Sequence, residues 1–282
     1  PLAYSHLRTL DFYFTDPAGN NLSFTESAED EVTTAAIEGR SDLFLFLNFS
    51  DSAKVTTNQP PTLLTEIEAV NDSTFEFIPN SGSGIAYVDF GSNGGKCAQF
   101  NNDWIRLNDA STVEEPEDGT LSLLFQSQAN TTDVQVIVDW YRWRICVNAG
   151  GKLAYYDGAI QETSISVENS KDYLLSVRRD NSGPGNFLWR LEKLEDNTVQ
   201  TASTGHGGNS GGTGLFDWGG NSSYSAAGFE ASNLVVITSI ADADVLTIEK
   251  YLKQYYRGLT STSSGSASTD ATFFIELDVD VS

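Results

Sequence analysis

One stretch, GLFDWGGNSSYSAAGFEASNLVVITSIADADVLTIEKYLKQYYRG at residues 214–258, constrains the fold more than any other. It changes chain geometry three times. Gly219-Gly220-Asn221 predicts a tight turn, because Gly and Asn adopt positive φ at little steric cost. Residues 229–240 predict a strand centred on the β-branched run Val235-Val236-Ile237-Thr238. Residues 242–256 predict a helix, with Asp242 as N-cap and Gly258 where a left-handed C-terminal residue belongs. Val245, Ile248, Leu252 and Tyr255 recur on one helical face. The rest of the chain reads as strands, so this short helix must lie across the edge or mouth of a β-structure.

From the start, residues 7–14 and 41–49 read as strands separated by the Asp16-Pro17-Ala18-Gly19-Asn20 turn. Residues 26–40 read as a short helix or an exposed loop. Residues 75–78 and 85–90 are further short strands. Residues 133–147 (DVQVIVDWYRWRICV) are apolar on both alternating faces, which predicts one central strand. Residues 152–156 pair with it across Asn148-Ala149-Gly150-Gly151. Residues 187–194 alternate, and Asp196-Asn197 turns them into residues 198–202. The Gly-saturated run 204–214 predicts a loop. Residues 260–269 form a Ser/Thr/Gly linker, followed by a strand over 271–281 with Ile275, Leu277, Val279 and Val281 on one face.

Several of these segments, taken in order, resemble the laminin G-like domains of the concanavalin A-like superfamily: GKCAQFNNDWIRLNDA (95–110), GTLSLLFQSQ (119–128), WRICVNAGGKLAYYDG (143–158), KDYLLSVRRDNSG (171–183) and the closing strand and helix. Phage virion surface proteins contain such domains. The resemblance implies an all-β fold, an antiparallel β-sandwich of jelly-roll type with one short helix and β extensions at both ends. The matching segments set the sandwich at 79–258; residues 1–78, without a clear counterpart in the family, read as a docking segment, and residues 259–282 as a linker with terminal strand. The resemblance does not imply one function, since the same sandwich carries lectins, hydrolases and adhesive modules.

Charge narrows the partners. The chain carries 39 Asp and Glu against 16 Lys and Arg, a net charge of −23. That field repels nucleic-acid phosphates and anionic lipid, which counts against both as partners. No apolar run approaches the length of a membrane span. The chain begins with Pro and contains no Met; removal of an initiator Met before Pro would give this start, which points to cytoplasmic synthesis in a host cell. Cys97 and Cys146 lie in apolar strand contexts and read as small buried hydrophobes, with one disulfide as the alternative.

Four constellations could carry chemistry. Glu276-Leu277-Asp278-Val279-Asp280 resembles the E-[IL]-D-x-E strand of jelly-roll β-glucanases, where alternation sets carboxylates side by side. Here Asp280 is one methylene short of the pattern, and an acidic solvated strand face is the plainer reading. His6 and His206 are the only histidines, and Ser210 near His206 lacks the elbow of a hydrolase nucleophile. The resemblance implies a Ca²⁺ at a loop rim, for which Asn101, Asn102, Asp103 and Asp109 supply suitable oxygens, although ordinary turn residues look the same. Glycan binding needs an exposed aromatic beside amide or carboxylate groups; Trp218, Asp217, Asn221 and Tyr224 are the candidates, whereas Trp104 and Trp143 read as core.

The sequence therefore leads to the expectation of a non-enzymatic virion surface protein of a tailed phage: capsid decoration, head fibre or tail attachment. Its partners would be further copies of itself, capsid or tail subunits, and host surface glycans, with no required cofactor. A β-glucan hydrolase using Glu276 and Asp280, and a secreted or cell-surface lectin module, are the alternatives.

Overall fold

The computed structural model describes residues 31–58, 62–80, 84–90, 95–101, 103–108, 115–127, 134–140, 143–156, 159–181, 186–205, 216–220 and 227–257. In chain order the elements are α1 (Thr34–Glu38), β1 (Leu43–Asn48), β2 (Val55–Asn58), β3 (Leu63–Glu68), β4 (Glu76–Pro79), β5 (Ile85–Phe90), β6 (Gly95–Asn101), β7 (Ile105–Leu107) and β8 (Gly119–Ser127). Then come β9 (Gln135–Trp140), β10 (Trp143–Val147), β11 (Lys152–Tyr156), β12 (Ile160–Ser166), β13 (Lys171–Asp180), β14 (Asn186–Lys193), β15 (Thr198–Gly205), β16 (Phe216–Trp218), β17 (Ala227–Ile237) and α2 (Asp242–Tyr256).

Alternation in β8 shows how the layers arise. Leu121, Leu123 and Phe125 point inward to the main core, while Leu124 points outward to a second one. β17 and β13 flank β8 antiparallel with the same phase: Leu123 stands opposite Leu234 on one side and Leu175 on the other. β14 and β15 continue beyond β13. On its other edge β17 pairs with β1 through its C-terminal half and with β6 through its N-terminal half. Further antiparallel ladders join β5 to β6, β3 to β5, β4 to β3, and β7 to β4. They run on through β16, β9, β10, β11 and β12. The described strands thus form one antiparallel sheet that nearly closes on itself. The architecture is all-β, of the sandwich or barrel kind.

The inward faces share one core that contains Trp140, Trp143, Trp189, Trp218, Phe100 and Phe125, all at 1% exposure or less. Each large apolar side chain buried there stabilises the fold by about 1.5–3 kcal/mol relative to exposure. The second core lies outside the sheet, where Ile248, Tyr251, Leu252 and Tyr255 of α2 cover Leu124, Leu174, Val235 and Ile237. Ile37 of α1 and Phe46 complete it, with the Phe46 ring edge-on to Tyr251 at 5.7 Å. The helical face expected from the 3.6 period is the one that is buried.

Most local expectations coincide with the structure. β10 and β11 pair across residues 148–151; Gly151 has φ +72°, and the Asn148 carboxamide oxygen accepts the N–H groups of Gly150 and Lys152. Asn197, with φ +57°, turns β14 into β15. α2 begins and ends where the pattern placed it, but its N-cap is Ala241, not Asp242. Asp242 is the first helical residue, where its charge favours the helix dipole and pairs with Arg178. Gly258, the 7–14 strand, the 260–269 linker and the 271–281 strand lie outside the described residues.

Two larger readings change. Residues 133–147 are not one central strand but the hairpin β9–β10, with Trp140 opposite Trp143. Their apolarity on both faces comes from the phase change at a bulge in β9 together with a small outer cluster of Val136, Cys146 and Ala154. Residue 78 marks no structural break either. β1 pairs with β17, β4 pairs with β7, and Leu45, Leu47, Ile67 and Phe77 sit in the main core. A segment expected to dock onto partners has its apolar faces committed to its own sheet from β1 onward.

Candidate functional site

Four strands from distant parts of the chain bring four charged side chains into one row. The register pairs Arg144 of β10 with Asp139 of β9, Asp139 with Asp217 of β16, and Asp217 with Arg106 of β7. The neighbours of each, namely Trp143 and Ile145, Val138 and Trp140, Phe216 and Trp218, Ile105 and Leu107, all belong to the main core. Alternation therefore sends the four charges to the opposite, outer face.

Asp139 reaches that face because of an irregularity. The β9–β10 register slips between Ile145 and Cys146, so that Ile145 faces Val138 while Cys146 faces Val136. Ile137 is the extra residue of a β-bulge, and its carbonyl accepts the Gly219 N–H at 2.9 Å. Val136 lies in a small outer cluster with Cys146 and Ala154, whereas Ile137 and Val138 both turn inward. Uninterrupted alternation from Val136 would have aimed Asp139 into the core. Gly219, at φ +87°, closes this corner: a Cβ there would come within 2.4 Å of the Phe100 ring.

The row is most tightly paired at its Arg106 end. Arg106 donates to both carboxylate oxygens of Asp217, from Nε at 2.6 Å and from Nη2 at 2.8 Å. Arg144 Nε lies 3.0 Å from Asp139 Oδ1, and its guanidinium carbon sits 5.8 Å from the Tyr156 ring centroid. Exposure is graded: the Asp217 side chain is 6% exposed, Asp139 20%, Arg106 26% and Arg144 38%. Burial raises the Asp217 pKa above the ordinary carboxylate value; Arg106 opposes this through its hydrogen bonds and charge, and Asp139 adds to the rise. Asp217 in turn holds Arg106 above its usual value. Adjacent carboxylates on neighbouring strands, about 4.5–5.5 Å apart at Cβ, repel each other, and an arginine at each end offsets that repulsion.

Two aromatic residues flank the row. Trp104 shares the phase of Arg106, is half-buried, and has a buried indole N–H that makes no hydrogen bond. Tyr156 lies beyond Arg144 on β11. Such a surface can hold a polar ligand by hydrogen bonds between aromatic ends.

The sequence candidates divide. Asp217 is in the row. Trp218 is not exposed, as the glycan reading required: it points into the core with no accessible surface, 5.4 Å from the Phe49 ring and 6.0 Å from Phe100. The alternation that presents Asp217 outward takes Trp218 inward. Asn221 and Tyr224 lie outside the described residues. Of the calcium candidates, Asp103 is buried and accepts the Trp104 N–H at 2.9 Å. The backbone of Asn101 ends β6, and Asn102 and Asp109 lie outside the described residues. No three His, Cys, Asp or Glu gather as a metal would need, among the described residues. Glu276, Asp278, Asp280, His6, His206 and Ser210 also lie outside them. Cys97 and Cys146 are buried free thiols, and burial pushes Cys146 up to about 12. Trp143 is core, as expected; Trp104 is only half-buried. Sequence reasoning missed Arg106, Asp139 and Arg144. Each sits as a single charge between apolar neighbours, a signal for one outward residue but not for a shared row.

No protein-family model matches the chain, and no curated protein matches it. Solved structures with similar backbones include Trypanosoma rangeli sialidase in complex with sialic acid, at 13% identity and TM-score 0.49 over 86% of this chain and 35% of that one. The botulinum neurotoxin serotype D binding domain matches at 10% identity and TM-score 0.45 over 74% and 51%. The enzymatically active domain of tailspike protein 2 from bacteriophage CBA120 matches at 15% identity and TM-score 0.42 over 76% and 33%. This chain spans about a third to a half of the length of those proteins. At these identities and scores the likeness carries no functional argument.

Proposed function

We propose that this chain is a non-enzymatic binding module of a virus particle surface, a decoration, head-fibre or tail-attachment component of a tailed phage, built on a laminin G-like jelly roll. It engages host surface glycans through the outer face of β7, β16, β9 and β10. The observation that carries this reading is the Arg106–Asp217–Asp139–Arg144 row, a fixed polar strip between Trp104 and Tyr156 on an outer sheet face. Its carboxylates are held by arginines, an arrangement suited to presenting acceptors and donors in fixed positions and poorly suited to exchanging protons during a reaction. The net charge of −23 supports a solvent-facing role and disfavours polyanionic partners.

Immunogold labelling of intact particles with antibody against the full chain tests the virion assignment. Label on every particle is the expected outcome; chain found only as soluble monomer in the lysate overturns it. Incubating the purified chain with β-glucans and assaying new reducing ends tests the non-enzymatic assignment. Release of reducing ends that Glu276→Gln abolishes would replace it with the hydrolase.

A further inference from the structure

We infer that the ligand of this face is an uncharged glycan chain, laid across the strands from Trp104 to Tyr156. This rests on the glycan-binding reading above and goes further by fixing the ligand class, its direction and the side chains that select it.

The row has two guanidiniums and two carboxylates, so it is formally neutral in a chain of net charge −23. A sialylated or uronate sugar approaching it meets the repulsive field of the whole molecule. It also finds both arginines already engaged, Arg106 on Asp217 and Arg144 on Asp139. To bind, an acidic sugar would have to set its carboxylate on the N–H groups that the aspartates leave free, beside the like charges of Asp217 and Asp139. A neutral polyol meets no such repulsion. Its hydroxyls donate and accept, and the row offers both: carboxylate oxygens with several lone-pair sites, and guanidiniums of which Arg106 commits only Nε and Nη2 to Asp217, while Arg144 faces Asp139 as an ion pair.

Direction follows from the strand order. β11, β10, β9, β16 and β7 lie side by side, and four interstrand gaps span about 19 Å. That is longer than one sugar ring, so the ligand is an oligosaccharide segment running perpendicular to the strands. Aromatic side chains at the two ends suit the apolar faces of sugar rings. The bulge at Ile137 supports a site over mere packing: it breaks the β9–β10 ladder to aim Asp139 outward, next to a like charge.

The test uses the full chain and isothermal titration calorimetry with neutral hexasaccharides of glucose, N-acetylglucosamine and galactose, each beside a sialylated or uronate-containing counterpart. Saturable binding of at least one neutral hexasaccharide is expected, with its acidic counterpart at least 10-fold weaker. Arg144→Gln and Trp104→Ala are each expected to weaken binding at least 10-fold, while Leu188→Ala, on the outer face of β14, stays within two-fold. Arg144 is the most exposed member of the row, so its variant reports even where Trp104→Ala fails to fold. Selective binding of the acidic counterpart overturns the inference. So does neutral-glycan binding left unchanged by Arg144→Gln in a folded chain; the glycan-binding reading then survives at another site. Binding of no glycan by the unaltered chain removes both.

Discussion

The sheet has two outer surfaces of opposite character. Over β8, β13 and β17 the outer face is apolar and roofed by α2, with polar groups at the margin: Arg178 on Asp242, Arg190 on Glu249, Lys253 on Glu192, and Tyr256 on Asp172. Over β7, β16, β9 and β10 it carries the charged row, partly open to solvent. The roofed face uses charge to orient a helix that hydrophobic burial already holds. The other face uses charge as its main feature, with Val136, Cys146 and Ala154 as a small apolar patch beside it. Ion pairs with similar distances therefore differ in role, and the difference is testable.

The largest expected effect is on the roof. Leu252→Ala removes a fully buried side chain under α2 and is expected to cost about 2–5 kcal/mol, read by urea denaturation. If the faces are independent, the folded variant keeps the glycan affinity of the row; a parallel loss of affinity would show that they are coupled. Next, Arg190→Gln leaves Glu249, at 1% exposure, without its cation. About 3 kcal/mol is expected, at the low end for a broken buried pair because Arg190 itself is 26% exposed. Arg106→Gln is expected to cost less, about 1–2 kcal/mol, because Asp217 can take up a proton once its cation is gone. NMR titration of the Asp217 carboxyl should show its pKa rising further, and no rise would mean that Arg106 contributes little to the row.

Acid separates the faces by sign. Hydrogen bonds from Ser239 and then Arg40 lower the Asp244 pKa at the start of α2. That contribution is complete above the unfolded carboxylate value of about 4 and is lost as pH falls through the depressed folded value. Asp217 is raised, so its proton binds more tightly in the folded chain; its effect favours folding in acid and fades as pH rises through the folded value. Hydrogen exchange between pH 5 and 3 is expected to show α2 losing protection before β16. The reverse order would break the comparison.

The smallest effect is from salt. Raising ionic strength to about 1 M shortens the screening length to about 3 Å and is expected to weaken the exposed Arg178–Asp242 pair by less than about 1 kcal/mol, with Asp217–Arg106 nearly unchanged. Comparing Arg178→Gln and Arg106→Gln in low and high salt checks this.

Local chemistry alone determined much of the molecule. The spacing of Val245, Ile248, Leu252 and Tyr255 fixed the span of α2 and its buried face. Asn148 to Gly151 fixed a hairpin, Asn197 a turn, and the alternating runs an all-β fold. These depend on residues a few positions apart, whose geometry the backbone dictates. The row depends on pairing between residues 106, 139, 144 and 217, and on one bulge that reverses the phase of Asp139. Trp218 shows the same limit: FDW announces alternation, but which of its residues faces solvent is decided by the strands on either side. A single-residue change of register exchanges the two faces of a strand, and only the packed sheet selects between them.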